Sequence, residues 1–142
     1  MQTEHPNIEL INRIDTTDIP AQADLFQPDV VWHFFNAQAA DIAGSYCGID
    51  GLSEFFRKVH AHGDGSFAIS PRGAWAVGDE LVVVQTRNRL GRGEAAIEFD
   101  VIVVWRIIDG KIAEVWDIPA VNTAQGIAAN DPTVGPATAE IA

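Results

Sequence analysis

The stretch from Val103 to Pro119 reads VVWRIIDGKIAEVWDIP. Two apolar runs meet at Asp109-Gly110, a pair in which both positions tolerate positive φ, and such a pair signals a two-residue β-hairpin. With that turn, Ile107 pairs with Ile112, Trp105 with Glu114, Val103 with Trp116 and Val101 with Ile118. Side chains alternate across a strand, so these residues share one face with Ile97 and Phe99. That face is almost wholly apolar and is expected to be concave, lying under helices. The opposite face carries Glu98, Asp100, Ile102, Val104, Arg106, Ala113, Val115 and Asp117. It is mixed, and the aliphatic area of Ile102, Val104 and Val115 suits cover by another subunit. Parity therefore puts Asp117 outside. A β-bulge near the strand end would turn it inward, and bulges concentrate beside active sites and at sheet rims.

Outward from the hairpin, everything from Phe67 to Ile118 reads as strand and turn. Trp75-Ala76-Val77 leads through Gly78-Asp79 to a strand over Leu81–Leu90, then the Gly91-Arg92-Gly93 turn, then a long strand over about Ala95–Ile108. Gln85, Arg87 and Arg89 alternate with Thr86 and Asn88, and their facing depends on whether the Gly91-Arg92-Gly93 turn contains three or four residues, since one residue of register exchanges the faces. The arginines are expected outward, because an unpaired buried guanidinium is very costly. Upstream, Leu52, Phe55, Phe56 and Val59 fall at i, i+3, i+4 and i+7, the stripe of an amphipathic helix capped by Asp50 and ending at Gly63. Val30 to Phe35, rich in aromatic and β-branched residues, reads as a strand. A small-residue loop, Asn36 to Gly48, separates it from the helix. Before it, Asn7 would cap a short helix carrying Ile8, Ile11 and Ile14, and Thr17-Asp18-Ile19-Pro20 would open a second, running through Leu25-Phe26. Helices followed by a meander make an α+β domain: a cone-shaped, strongly curved antiparallel sheet packed on three N-terminal helices. That domain is expected over residues 1–120, with 121–142 a flexible tail of Ala, Gly, Pro and Thr.

The length, 142 residues, suits one core, and a net charge of −11 repels phosphate backbones and anionic membranes. Nucleic acid and membrane are therefore not expected partners. No apolar run approaches the ~20 residues that span a bilayer, and no secretory signal opens the sequence, so a cytoplasmic location is the default expectation. Cys47 is the single cysteine, which removes intrachain disulfides and cysteine-rich zinc sites. His60 and His62 stand two apart on a helix and do not share a face, so no metal site is expected. Gly91-Arg92-Gly93 lacks the lysine and hydroxyl residue of a phosphate loop, and there is no Gly-x-Ser-x-Gly element.

Several elements in order carry a family resemblance: Trp32-His33 on the first strand, Gly44-Ser45-Tyr46-Cys47-Gly48 before the capped helix, Phe55-Phe56 within it, and Asp109 to Asp117 at the close. Together, over roughly residues 7 to 120, they resemble the SnoaL-like branch of the nuclear transport factor 2-like superfamily. The resemblance implies a bent sheet wrapped around helices, a pocket at the open end and frequent dimerisation through the sheet. Its members include polyketide cyclases, ketosteroid isomerases, epoxide hydrolases, dehydratases and non-catalytic binding modules. The aspartate base of ketosteroid isomerases matches Phe34 here, and their oxyanion-binding tyrosine falls near Ile11, so that chemistry is disfavoured. Asp117 is the nearest counterpart of the late-strand acid of the cyclase-type members.

On these grounds His33 and Asp117 are the candidate catalytic residues, a histidine as general base and an acid to pair with it. Trp32, Phe34, Tyr46, Phe56, Trp75, Phe99, Trp105 and Trp116 are the candidate ligand-binding wall, since four tryptophans in a small domain are most easily placed around a cavity. The expected ligand is a small hydrophobic molecule, polycyclic or aromatic, handled by a cyclase, isomerase or lyase without metal or organic cofactor. A non-catalytic carrier and a dimerisation module are the alternatives. The expected protein partner is a second copy, through the outer sheet face.

Overall fold

The computed structural model describes residues 5–62, 67–91 and 96–127. Helix α1 spans Pro6–Asn12, a 3₁₀ helix spans Pro20–Leu25, and strand β1 spans Phe26–Phe34. Strand β2, Gly44–Cys47, precedes helix α2, Gly48–His62. Strands β3, Phe67–Val77, β4, Leu81–Leu90, β5, Ala96–Ile108, and β6, Lys111–Pro119, form the meander. A short 3₁₀ helix, Val121–Thr123, and strand β7, Gln125–Ile127, close the described chain.

The strands lie in the order β2-β1-β6-β5-β4-β3, with β7 paired to β5. All neighbours are antiparallel except β1 and β6. The curved, unclosed sheet packs on the helices as an α+β cone. Helix α2 lays its apolar stripe on the concave face. Leu52, Phe55, Phe56 and Val59 are all buried, and each such burial is worth ~1.5–3 kcal/mol.

The structure differs from the sequence expectations at several edges. Helix α1 is capped by His5, whose Nδ1 accepts from the Asn7 backbone N–H at 3.1 Å, rather than by Asn7. The Asn7 side chain instead donates to the Asp79 carbonyl at 3.0 Å and ties the helix to the β3–β4 turn. The second expected helix is only the 3₁₀ segment, because Phe26 already enters β1 and pairs with Ile112. Helix α2 begins at Gly48, two residues before the expected cap. Four residues of the expected loop form β2, with Tyr46 opposite Trp32 and Ser45 opposite His33. At the other end, Val121 and Ala124 pack against the core and β7 extends the sheet beside Ala96–Glu98, so the domain runs past residue 120. The rest of the expected tail, 128–142, lies outside the described residues, as does most of the Gly91-Arg92-Gly93 turn.

The hairpin is built as its sequence demands up to the turn. Asp109 and Gly110 take φ of 54° and 76°, and Ile107 pairs with Ile112. The next pair is Arg106 with Glu114, so Ala113 is an extra residue in β6, a β-bulge beside the turn. Beyond it every pairing is shifted by one from the expected register: Trp105 meets Val115, Val103 meets Asp117 and Val101 meets Pro119. The β5 half of the concave face is as read. The β6 half is corrected, with Val115, Asp117 and Pro119 inside and Glu114, Trp116 and Ile118 outside.

Candidate functional site

Inside the cone lies a cavity of about 820 Å³. Trp32 and Phe34 of β1, Phe56 of α2, Phe99 and Trp105 of β5, and Asp117 of β6 all line it. Trp32 is the hub of the apolar wall, with ring centroids 5.0 Å from Phe56 and 5.3 Å from Trp105, both edge-on. The aliphatic remainder of the wall comes from α1 and from alternate residues of β4 and β5, among them Ile11, Val82, Val84 and Val103.

Asp117 is the acid that the sheet contributes to this cavity wall. Register opposite Phe34 and Val103 fixes it to the concave face, and the bulge at Ala113 is what sets that register. Its Oδ2 accepts the Trp32 Nε1–H at 3.3 Å. Burial among apolar side chains pushes its carboxyl up from 3.8 to about 7, and the Trp32 hydrogen bond holds the rise back. The residue as a whole is only half-buried, but it lines the cavity, so the surface it keeps opens on the pocket. A carboxyl that exchanges its proton near neutrality inside an apolar pocket has the properties of a general acid or base.

His33 is placed elsewhere. Trp32 and Phe34 face the cavity, so His33 between them faces out, opposite Trp116. Its Nδ1 is 2.8 Å from Ser45 Oγ, and its Nε2 is 2.7 Å from Glu114 Oε2. Glu114 also accepts from Arg106 Nη1 at 3.2 Å, and the Arg106 guanidinium lies 5.1 Å from the centre of the Trp116 ring. His33 and Asp117 are thus on opposite faces of the sheet, and the expected pairing of the two does not form; Glu114 is the acid that meets the imidazole.

Of the expected wall, Trp32, Phe34, Phe56, Phe99 and Trp105 line the cavity, whereas Tyr46, Trp75 and Trp116 do not. Tyr46 donates its hydroxyl to the Ile42 carbonyl and packs on Phe55 with centroids 5.1 Å apart, sealing the space behind α2. Trp75 lies on the outer face, 44% exposed, with its ring over Gly73. Trp116 is carried outward by the bulge and stacks on His33.

Polar groups not singled out from the sequence also line the cavity. Asn12 ends α1, Asp15 and Thr16 follow it, and Thr86 and Asn88 sit on β4. The signal for the last two was present: with Gln85, Arg87 and Arg89 outward, Thr86 and Asn88 must point in. Arg87 does face outward but is buried, 3.0 Å from Asp100 and 3.7 Å from Glu98, which supplies the pairing that a buried guanidinium requires.

The family model described as "SnoaL-like domain" matches residues 8–115. The chain belongs to the SnoaL-like domain family. Among solved structures, the SnoaL-like chain is similar to TerC, co-crystallised with polyporic acid, at 25% identity and a TM-score of 0.69, covering 82% of this chain and 93% of that one. It is similar to a Xanthomonas campestris protein of unknown function with a cystatin-like fold, at 26% identity and a TM-score of 0.66, covering 84% and 92%. A phenazine biosynthesis-related protein from Pseudomonas aeruginosa shares the fold at 16% identity and a TM-score of 0.65, over 82% and 80% of the two chains. No curated protein matches this SnoaL-like sequence. No helix among the described residues is long and apolar enough to cross a membrane.

Proposed function

We propose that this SnoaL-like chain binds a small, largely apolar ring compound in its cone and transfers a proton to or from it with Asp117. The reaction class is isomerase, cyclase or lyase chemistry, for which a carboxyl alone can serve as acid and base in turn. The observation that carries the reading is the position of Asp117, on the wall of an apolar cavity, held by Trp32 Nε1–H and poised near neutrality. Similarity to a protein crystallised with polyporic acid supports an organic ligand. A direct test uses 2-tetralone in D₂O, following loss of its α-proton signal by NMR. The protein should accelerate exchange, Asp117→Asn should remove the acceleration, and His33→Ala should keep it. Equal exchange by the native chain and Asp117→Asn would refute proton transfer by Asp117, and retained binding of the ketone would then favour a carrier.

We further propose a homodimer through the outer sheet face. Trp75, Val83, Val104 and Trp116 stand in one cross-strand row, and Ile102 and Ile118, 37% and 46% exposed, stand in register beside it. An apolar band across a sheet favours burial against another copy. Sedimentation equilibrium should give a dimer that Val104→Glu converts to monomer; a native chain that sediments as monomer overturns the idea.

A further inference from the structure

The cavity has a second polar pole, far from Asp117. Thr86 and Asn88 stand two residues apart on β4, both more than nine-tenths buried and both lining the cavity. Their neighbours across the sheet, Ile69 and Phe99 beside Asn88 and Val101 beside Thr86, are apolar or pair through backbone alone. Thr86 Oγ1 donates to Asn88 Oδ1 at 2.8 Å, which fixes the amide with its NH₂ turned away from the threonine. No protein acceptor bonds that NH₂ among the described residues, and the nitrogen is not sealed off, because Asn88 lines the cavity. A donor so placed is met by cavity water or by whatever fills the cavity, since one with neither is costly. Here the space in front of it is the cavity.

We infer that Asn88, oriented by Thr86, is the specificity-determining anchor for a hydrogen-bond-accepting oxygen at the far end of the ligand. The ligand class is therefore narrower than "apolar": an elongated ring system bearing a carbonyl, carboxyl or phenolate oxygen remote from the carbon that Asp117 serves. Asp117 is in register with Val103 and Val84, and Asn88 lies four residues further along β4. With ~3.4 Å per residue and ~4.8 Å between strands, the poles are ~16 Å apart over the sheet and closer across the cone. A bicyclic or tricyclic body spans that gap. The ligand would replace cavity water at the amide, and a carbonyl reproduces the bond that the water made, whereas a methylene does not.

This inference rests on the ligand pocket proposed above, and calorimetry with two matched probes separates the two. 2-Acetylnaphthalene and 2-ethylnaphthalene have nearly the same shape, and only the first carries an acceptor. The native chain should bind the ketone ~5–10-fold more tightly, the ratio expected for one net hydrogen bond. Asn88→Leu should abolish that preference and leave 2-ethylnaphthalene binding intact, which shows that the variant keeps its pocket. Asn88→Val serves where Asn88→Leu fails that control. Asp117→Asn should keep the preference. Equal binding of both probes by the native chain, or a preference that survives loss of Asn88, overturns the assignment while leaving the pocket in place. A preference lost in Asp117→Asn and kept in Asn88→Leu also overturns it, since the carbonyl would then sit at Asp117. Failure of both probes to bind the native chain overturns the pocket reading, and this one with it.

Discussion

Replacing Asp117 by Asn tests the electrostatics of the cavity without any substrate. Asparagine keeps the shape and an oxygen to accept from Trp32 Nε1–H, and removes only the ionisation. In the folded chain burial lifts the carboxyl from 3.8 to about 7, so between those values the folded state holds a proton that the unfolded state has lost. Stability must therefore fall as pH rises through this window. The stabilisation relative to the ionised form is fully present below pH ~4 and is lost by pH ~7. Three pH units correspond to a ceiling of ~4 kcal/mol, and water reaching Asp117 through the pocket reduces this to ~2 kcal/mol. The assay is urea unfolding followed by tryptophan fluorescence at pH 4.5 to 8.5, with the native chain and Asp117→Asn compared at each pH. Subtraction cancels every other titrating group. The variant should gain on the native chain by ~2 kcal/mol across the series, a rise in midpoint with unchanged slope, and the gain should level off above pH 8. A flat difference, or a native chain that gains relative to the variant as pH rises, would refute the claim that desolvation governs this carboxyl.

Other consequences are more local. Trp32→Phe removes the hydrogen bond that lowers the Asp117 value, so the pH midpoint of proton exchange should move to the alkaline side, and an unmoved profile would exclude the contact. His33→Gln, on the outer face, should leave probe affinity within about twofold and cost ~0.5–1 kcal/mol in urea for its bonds to Ser45 and Glu114. Phe55→Ala, at 1% exposure beneath Trp32 and Tyr46, should cost ~3–5 kcal/mol by thermal unfolding; a cost under 1 kcal/mol would mean that α2 is not the lid of the core. Deleting Ala113 removes the extra residue and leaves Arg106 opposite Glu114 and Val103 opposite Asp117, so the variant should unfold cooperatively and keep the loss of stability with rising pH that Asp117 causes; a variant without that pH dependence would show that pairing register alone does not hold Asp117 on the concave face.

Much of this architecture is written in local pattern. The stripe Leu52, Phe55, Phe56, Val59, the Asp109-Gly110 turn and the apolar alternation of β5 each specify an element through one period and one buried face. The elements missed were those with no such redundancy. Strand β2 is four residues of Gly, Ser, Tyr and Cys whose strand state comes from pairing with β1, a long-range cause that no window contains. At the site, residues on β5 were placed correctly because nothing interrupts their alternation. Trp116 and Asp117 were misplaced because one residue, Ala113, shifts all that follows.

What selects the bulge is a choice between two acids. Glu114 and Asp117 are three apart on β6 and so face opposite ways; in either register one must point into the cone. An in-register hairpin would put Glu114 and Trp116 inside, against a wall already filled by Trp32, Phe56 and Trp105. Val115, which now packs with no exposure, would be left outside. It would also take Glu114 away from His33 and Arg106, its partners on the wet face. With the bulge, the larger acid keeps its cationic and imidazole partners, the small aliphatic side chain fills the core, and the shorter acid enters the cavity. There it meets a single indole N–H and loses most of its hydration. That environment is poor for a carboxylate and good for a carboxyl that must give up and regain a proton near neutral pH. The same one-residue insertion that secures the packing of β6 therefore also places the reactive acid.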